Sequence, residues 1–293
     1  VTTGVNRLTN MQNGDGGWGW FSGAGETSGA HTTATVVRGL QVAVQNEVAI
    51  VPDVLQRGLA WLDQYQASEL QKLKNAATKT EPYKTQPDNL DALVFHVLAS
   101  EDRANPEMQT FLYEGRQHLS VYGKSLLAWS THKLGNAEQT TMLRQNIEQF
   151  LVEDAENETA YLRDETSWWY WYGSQIEATA MYLKLLAAQD PQGTVAPRLV
   201  KYLLNNRKHA TYWNSTRDTA MVIEAFADYL KATGEADANV AAEVWLGEKR
   251  LGRVEFTPEN LFTVNNTIAI SGNAVPSGEQ KLEIRRIGNG PLY

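Results

Sequence analysis

The chain has 293 residues, of which 42% are hydrophobic and 20% charged, a composition typical of a globular protein with one large domain or with one domain and a smaller one. No run of about 18 apolar residues occurs, so the sequence predicts no membrane span. The formal net charge of −8 argues against nucleic acid as a partner, because phosphate binding needs a basic surface. The chain has no cysteine, which excludes disulfides, thiolate metal sites and cysteine nucleophiles from it.

The first distinctive stretch is MQNGDGGWGWFSG, at residues 11–23. No Lys-Ser/Thr pair follows its glycines and no βαβ pattern follows it, so it is neither a P-loop nor a dinucleotide-binding fingerprint. Asn and Gly tolerate positive φ, and the stretch is therefore predicted to be a turn between helices. Of Trp18 and Trp20, one is expected to pack under the helix that begins near Thr32 and the other to point outward.

Two kinds of helical segment alternate along residues 31–230. The first kind begins with a small polar residue and is apolar on several faces; it is predicted at 31–44, 88–100, 120–134, 174–188 and 215–230. The second kind is more polar outside and richer in bulky residues; it is predicted at 51–65, 106–118, 138–152 and 194–207. Because a helix that is apolar on most faces is buried on most faces, the first kind is predicted to be inner and the second outer.

Capping boxes mark the starts of three inner helices. They are Asp88-x-x-Asp91, Ser174-x-x-Glu177 and Ser215-x-x-Asp218. The inner helices recur about every 46 residues between Thr32 and Thr216, and such a period predicts stacked helical hairpins. An open solenoid and a closed α/α toroid both fit, and the buried character of the inner helices favours the toroid. A toroid of six hairpins would need one more, which is expected before Val1.

Aromatic residues crowd DETSWWYWYGS, at 164–174, directly before an inner helix. In a toroid such loops gather at one mouth of the ring, where exposed aromatic side chains form an apolar patch typical of an interface. The patch is predicted to dock a neighbouring domain, with binding of a small ligand as the alternative. ATYWNSTRD, at 210–218, likewise places an aromatic pair before an inner helix. The candidate rim residues are Trp168, Trp169, Trp171, Tyr172 and Trp213.

Acidic residues at the same helix starts are candidates for catalysis. They are Asp91, Asp164, Glu165, Glu177 and Asp218. Glycoside hydrolases use two carboxylates at a separation set by their mechanism, so Glu177 and Asp218 are the acid pair of the alternative function, a carbohydrate-active or sugar-binding toroid. Three of the five acids already have a capping role.

The histidines show no metal-ligand spacing such as His-Glu-x-x-His, so neither a metal site nor a cofactor is predicted. They are His31, His96, His118, His132 and His209.

After about residue 237 the helical pattern gives way to alternation between apolar and polar residues. Strands are predicted within 241–256, 263–272 and 281–288. The sequence therefore predicts a helical domain at 1–237 and a partial β-sandwich at 238–293, whose remaining strands lie outside this chain.

The order of these motifs resembles the thioester-containing domain of the alpha-2-macroglobulin and complement family, and most of all its bacterial, envelope-associated branch. The motifs are MQNGDGGWGWFSG followed by TTATVVRGL, then SQIEATAMYLKLL, STRDTAMVIEAFADYL and the tail VWLGEKRLGRVEF to GNGPLY. The resemblance covers nearly the whole chain. It implies an α/α toroid without its first hairpin at 1–237 and a partial macroglobulin-like domain at 238–293.

The resemblance also implies a function. This chain would be a non-catalytic part of a broad-range protease inhibitor that traps target proteases, with neighbouring macroglobulin-like domains of the same protein packed against the Trp-rich mouth. The full-length protein is expected in the periplasm or cell envelope, with its signal outside this chain. Many family members form a thioester from a Cys-x-Glu-Gln motif. This chain has no cysteine, so the motif either lies before Val1 or has been lost. His96 falls within a helix and is not assigned the role of the catalytic histidine of some complement members.

Overall fold

The structure is a computed structural model that describes residues 1–21, 25–163, 174–209, 211–237, 239–260, 264–272 and 277–289. The described part of the chain is mainly helical and ends in antiparallel strands, which confirms the predicted fold class of a mainly α protein with a short C-terminal β segment. The inner helices are α2 (Ala30–Gln45), α4 (Asn89–Ala99), α6 (Val121–Lys133), α8 (Gln175–Gln189) and α10 (Thr216–Thr233). The outer helices are α1 (Thr2–Asn10), α3 (Pro52–Asn75), α5 (Pro106–Glu114), α7 (Ala137–Glu148) and α9 (Val195–Asn205).

The inner helices pack against one another in chain order. Each contacts the next, from α2 through α4, α6 and α8 to α10. Arg38 of α2 forms an ion pair with Glu224 of α10, which joins the first inner helix to the last. In α8 every residue from Ile176 to Ala187 is buried, because α6, α9 and α10 all pack against it. The predicted burial on most faces is confirmed for α8 but is wrong for α2 and α10, which bury five of 16 and four of 18 residues because each has a solvent-facing side. Closure into a toroid stays a prediction.

The Gly-rich turn attaches α1 to α2 through Trp18. This side chain is 1% exposed, and its indole N–H donates a hydrogen bond to the carbonyl oxygen of Leu8, 2.8 Å away. Gly16 has a φ of +94°, and a Cβ there would lie 2.8 Å from the carbonyl oxygen of Arg57. Trp20 is 65% exposed. The predicted turn, with one tryptophan inside and one outside, is confirmed.

The same arrangement recurs before α10. The indole N–H of Trp213 donates to the carbonyl oxygen of Leu203, at 2.7 Å, and its backbone N–H donates to the hydroxyl of Thr219, at 3.1 Å. The backbone N–H of Trp18 donates in the same way to Thr33, at 2.9 Å. In both turns, therefore, a buried tryptophan ties the last turn of an outer helix to the first turn of the following inner helix.

A short hairpin lies where the sequence predicts the end of a helix. Helix α7 ends at Glu148, and strands β1 (Leu151–Asp154) and β2 (Thr159–Leu162) pair antiparallel after it. The Asp154 side chain accepts hydrogen bonds from the backbone N–H groups of Glu156 and Asn157, a local arrangement that favours a turn over a helix. The prediction of helix up to residue 152 is therefore wrong.

The C-terminal strands form one sheet. Strands β3 (Asn239–Leu246), β4 (Lys249–Phe256) and β5 (Leu282–Asn289) are antiparallel in the order β4-β3-β5. The strands predicted within 241–256 and 281–288 are confirmed. The strand predicted at 263–272 is wrong over 264–272, the part that the structure describes.

A local hydrogen bond explains the missing strand. The Asn265 side chain accepts from the backbone N–H of Thr267, which competes with a ladder bond to a neighbouring strand. The predicted domain boundary at 237–238 stays a prediction. None of the described helices is both long and apolar enough to cross a bilayer.

Candidate functional site

The N-terminal ends of the inner helices converge on a cavity of about 80 Å³, called here the central cavity. All five inner helices contribute to its wall. Its charged and polar lining includes His31, Arg38, Asn89, Tyr122, Glu177 and Arg217. Five of these six lie in the first turn of their helix, which is why they meet at the N-terminal ends of the inner helices.

Glu177 is the one acidic side chain among the described residues that line the central cavity. Its side chain is 1% exposed, and its Oε1 lies 2.6 Å from Nε of Arg217. No hydrogen-bond donor to Oε2 is found among the described residues. Burial raises the pKa of Glu177 to about 7, even though the Arg217 charge opposes the shift. The carboxyl group is therefore present in both protonation states near neutral pH.

Asp218 is buried beside it and engaged differently. Its Oδ1 accepts a hydrogen bond from the hydroxyl of Ser174, at 2.6 Å. The same hydroxyl accepts from the backbone N–H of Glu177, at 3.1 Å, so Ser174 caps α8 and links it to α10. Asp218 is not among the residues that line the central cavity. Two catalytic carboxylates must both face the substrate, and no observation favours that arrangement here.

The other charged groups of the central cavity are neutralised by the protein itself. Burial and the nearby Arg217 charge lower the pKa of His31 to about 4, so His31 is neutral at pH 7. Arg38 pairs with Glu224, whose Oε1 also lies 2.6 Å from Nζ of Lys184. Lys184 is 3% exposed and additionally contacts Asp228 at 2.6 Å. Such a buried network satisfies its charges internally.

Asp91 has a structural role. Its carboxylate accepts from the backbone N–H of Asp88, at 2.8 Å, which completes the capping box predicted for α4. It also lies 2.6 Å from Nζ of Lys84. His96 is buried with its Nδ1 3.2 Å from the hydroxyl of Ser130. Within the described parts of the chain, no group of three or more His, Asp or Glu side chains is arranged to hold a metal ion.

Of the predicted aromatic rim, only Trp213 lies among the described residues. Trp213 is 4% exposed and belongs to the core, where its ring contacts Phe226 edge to face. Trp168, Trp169, Trp171 and Tyr172 lie outside the described residues, as do Asp164 and Glu165. A docking or binding role for those four aromatic residues stays a prediction.

Sequence reasoning singled out Glu177 but missed its neighbours in the central cavity. Arg217, His31 and Tyr122 occupy the second position of their helices, and Asn89 the first. Comparing the first residues of the five predicted inner helices could therefore have found these residues from the sequence.

The chain was compared with known protein families, curated proteins and solved structures. No protein-family model matches the chain. The chain is 25% identical over 240 residues to an alpha-2-macroglobulin of Thermotoga maritima, a match that covers 80% of this chain and 12% of that protein.

Solved structures of bacterial alpha-2-macroglobulins share the fold. One is native Escherichia coli alpha-2-macroglobulin from domain MG7 to the C-terminus, with a TM-score of 0.60, 18% identity and coverage of 90% of this chain and 39% of that one. The E. coli protein activated by porcine elastase has a TM-score of 0.57 and 18% identity, and the match covers 90% of this chain and 22% of that one. The Salmonella protein reacted with methylamine has a TM-score of 0.59 and 18% identity, and the match covers 97% of this chain and 16% of that one.

These matches confirm the resemblance to bacterial alpha-2-macroglobulins. They also show that the chain spans a small part of the proteins it matches, 12% of the curated relative and 39% or less of the three structures.

Proposed function

We propose that this chain is part of a bacterial protease inhibitor of the alpha-2-macroglobulin type, and that it acts in the full-length protein as a non-catalytic helical domain followed by part of a β domain. The main support is the similarity over 240 residues to the Thermotoga maritima protein, together with a fold shared over 90% of the chain or more. The boundary between the two parts is proposed at residues 237–238.

The chemistry of the central cavity fits a non-catalytic role. Glu177 is held by Arg217, and Asp218 by Ser174, each across two helix starts. These contacts use the carboxylates to join α8 to α10. No observation favours the alternative, a carbohydrate-active or sugar-binding toroid.

In the proposed full-length protein, target proteases are the partners and the inhibitor lies in the periplasm or the cell envelope. Neighbouring macroglobulin-like domains would pack against the Trp-rich segment at residues 168–172, the docking surface that the sequence predicts. A thioester is outside the chemistry of this chain, because it has no cysteine.

A protease-trapping assay tests the proposal. The full-length protein that contains this chain is incubated with elastase or trypsin, the proteases with which E. coli alpha-2-macroglobulin has been activated. Hydrolysis of a large protein substrate and of a small peptide substrate is then measured. A trap encloses the protease without blocking its active site, so hydrolysis of the large substrate is expected to fall several-fold while that of the small one persists.

The control is an equal mass of an unrelated protein of similar size, which reports simple competition for the protease. Equal hydrolysis of the large substrate in both samples would overturn the proposal. So would a parallel loss of activity on both substrates, since that result indicates an inhibitor of the active site itself.

A further inference from the structure

The outer edge of the C-terminal sheet is unpaired along β5 within the described residues. Strand β5 pairs with β3 over all eight of its residues without a register shift. At the opposite edge, the pairing of β3 with β4 is interrupted by a bulge between Val244 and Trp245. A regular edge presents a row of free backbone N–H and C=O groups to a further strand, whereas a bulge disrupts such a row. The β5 edge is therefore the one shaped to accept another strand.

Strand β5 also exposes apolar side chains. Leu282 is 61% exposed, Ile284 59% and Ile287 45%. Leu282 and Ile284 share one face of the sheet, since successive side chains of a strand point to opposite faces. β-Branched residues such as isoleucine suit strand pairing, and β5 contains no proline that would block it. An added strand would cover part of this apolar surface.

The charges of β5 restrict the partner. Glu283 and Arg285 lie on the same face, with Nε of Arg285 2.8 Å from Oε1 of Glu283. Antiparallel pairing of two copies of β5, with Ile284 opposite Ile284, places Glu283 of each copy opposite Arg285 of the other. Residues directly opposite in an antiparallel pair interact, and opposite charges there are favourable. In this register a second copy complements both charges.

Other registers are disfavoured by the same residues. A shift of the pairing by two residues brings either Arg285 or Glu283 opposite its own copy, and like charges in that position are unfavourable. A shift by one residue places Ile284 opposite a charged residue and joins the apolar face of one sheet to the charged face of the other. Self-pairing centred on Ile284 is therefore the register in which both the charges and the faces match.

We propose that β5 is the interface with a second copy of this chain, in which two β5 strands pair antiparallel about a twofold axis at Ile284 and join the two three-stranded sheets into one. Such an interface contains each contact twice. Two eight-residue strands bury less than the roughly 1,200 Å² of a standard stable interface, so the dimer is expected to be reversible. The proposal is independent of the trapping function, which the protease assay tests separately.

The mass in solution tests whether the dimer forms. Size-exclusion chromatography with light scattering is run on the 293-residue chain and on the full-length protein that contains it, loaded at about 5 to 500 μM. In both, the average mass is expected to rise with concentration towards twice the mass of one copy. A constant mass of one copy in either protein overturns the proposal; if only the full-length protein stays monomeric, the edge belongs to another segment of that protein.

Two charge-reversed variants test the register. Glu283→Arg places like charges opposite one another in the dimer, and so does Arg285→Glu; each variant alone is expected to dimerise at least about tenfold more weakly. An equal mixture of the two restores opposite charges at both positions, so dimers are expected to return. Glu255→Arg is the matched control, because Glu255 pairs with Arg253 on β4 as Glu283 pairs with Arg285 on β5, and it should leave dimerisation unchanged.

A cysteine cross-link gives a second measurement that does not depend on the charge variants. The chain has no cysteine, so Ile284→Cys introduces a single thiol, which lies opposite its own copy in the proposed dimer. Ile223→Cys places a thiol at a position of α10 that is 56% exposed, and it should form disulfide dimers at least about tenfold more slowly under the same mild oxidation. Equal rates for the two cysteine variants, or no return of dimers in the mixture of charge variants, overturn the proposal.

Discussion

At the scale of single residues, Glu177 depends on the tertiary environment more than on its local sequence. Its backbone N–H is capped by Ser174 within the same helix start, as the sequence predicts. Its side chain, however, faces Arg217 from another helix and is buried by the packing around α8. Burial makes its pKa an indicator of folding, because an unfolded chain would expose the same carboxyl group to water.

The first prediction concerns the pH dependence of stability. The folded pKa of Glu177 is about 7, above the value of 4.5 for a free glutamate, so between these values the folded state holds the proton more tightly than the unfolded state. The resulting stabilisation is complete below pH 4.5 and is lost as the pH rises through about 7. The loss is expected to be roughly 3 kcal/mol.

Urea denaturation of the original chain and of Glu177→Gln across this pH range measures the effect. The difference between their free energies of unfolding should decrease towards higher pH. Asp91, whose pKa is raised to about 6 mainly by burial, titrates in both proteins and cancels from the difference. A difference that is constant with pH would contradict the prediction.

At the scale of elements, the contact between α2 and α3 depends on a glycine. A Cβ on Gly58 of α3 would lie 2.7 Å from Cγ2 of Val37 and 2.8 Å from the ring of Trp18. A Cβ on Gly39 of α2 would meet no atom of the described residues within 4 Å. The first glycine lets the two helices approach closely, and the second merely leaves its helix more flexible.

Two alanine substitutions should therefore have opposite effects. Gly58→Ala is expected to lower the free energy of unfolding by about 1–3 kcal/mol, because overpacking outweighs the gain in helix propensity. Gly39→Ala is expected to raise it by up to about 1 kcal/mol, because alanine is the better helix former and nothing crowds it. Urea denaturation of both variants checks the signs; destabilisation of similar size in both would contradict the packing argument.

At the scale of the whole molecule, a charge network joins helices that are far apart in the chain. Glu224 of α10 contacts Arg38 of α2 and Lys184 of α8. Arg38 and Glu224 are 186 residues apart, so this contact links the beginning and the end of the row of inner helices. Lys184 keeps Asp228 as a partner if Glu224 is removed, whereas Arg38 has no other ion pair among the described residues.

Glu224→Gln is therefore expected to destabilise the chain by about 3 kcal/mol, because it leaves a largely buried arginine without its counter charge. The substitution should accelerate amide hydrogen exchange more in α2 than in α6, because α6 does not take part in the network. The control is Glu153→Gln, which removes an exposed pair with Arg198 and should change stability by less than about 1 kcal/mol. Equal effects of the two substitutions would show that the buried network has no special weight.

Local signals explain how much of the fold could be predicted. The inner helix starts followed from caps such as Ser174 and Ser215, and the Gly-rich turn followed from residues that tolerate positive φ. The β1–β2 hairpin was missed because its first strand continues the apolar pattern of α7. The strand at 263–272 was predicted from alternation alone, which the bond between Asn265 and Thr267 overrides.

The sequence by itself determined the succession of helices and the turn chemistry at their starts, because these depend on residues a few positions apart. Only the tertiary structure decided that His31, Glu177 and Arg217 meet in one cavity and that Arg38 finds Glu224. Those contacts depend on which helices become neighbours, and helix packing sets that across distances of up to 186 residues in the chain.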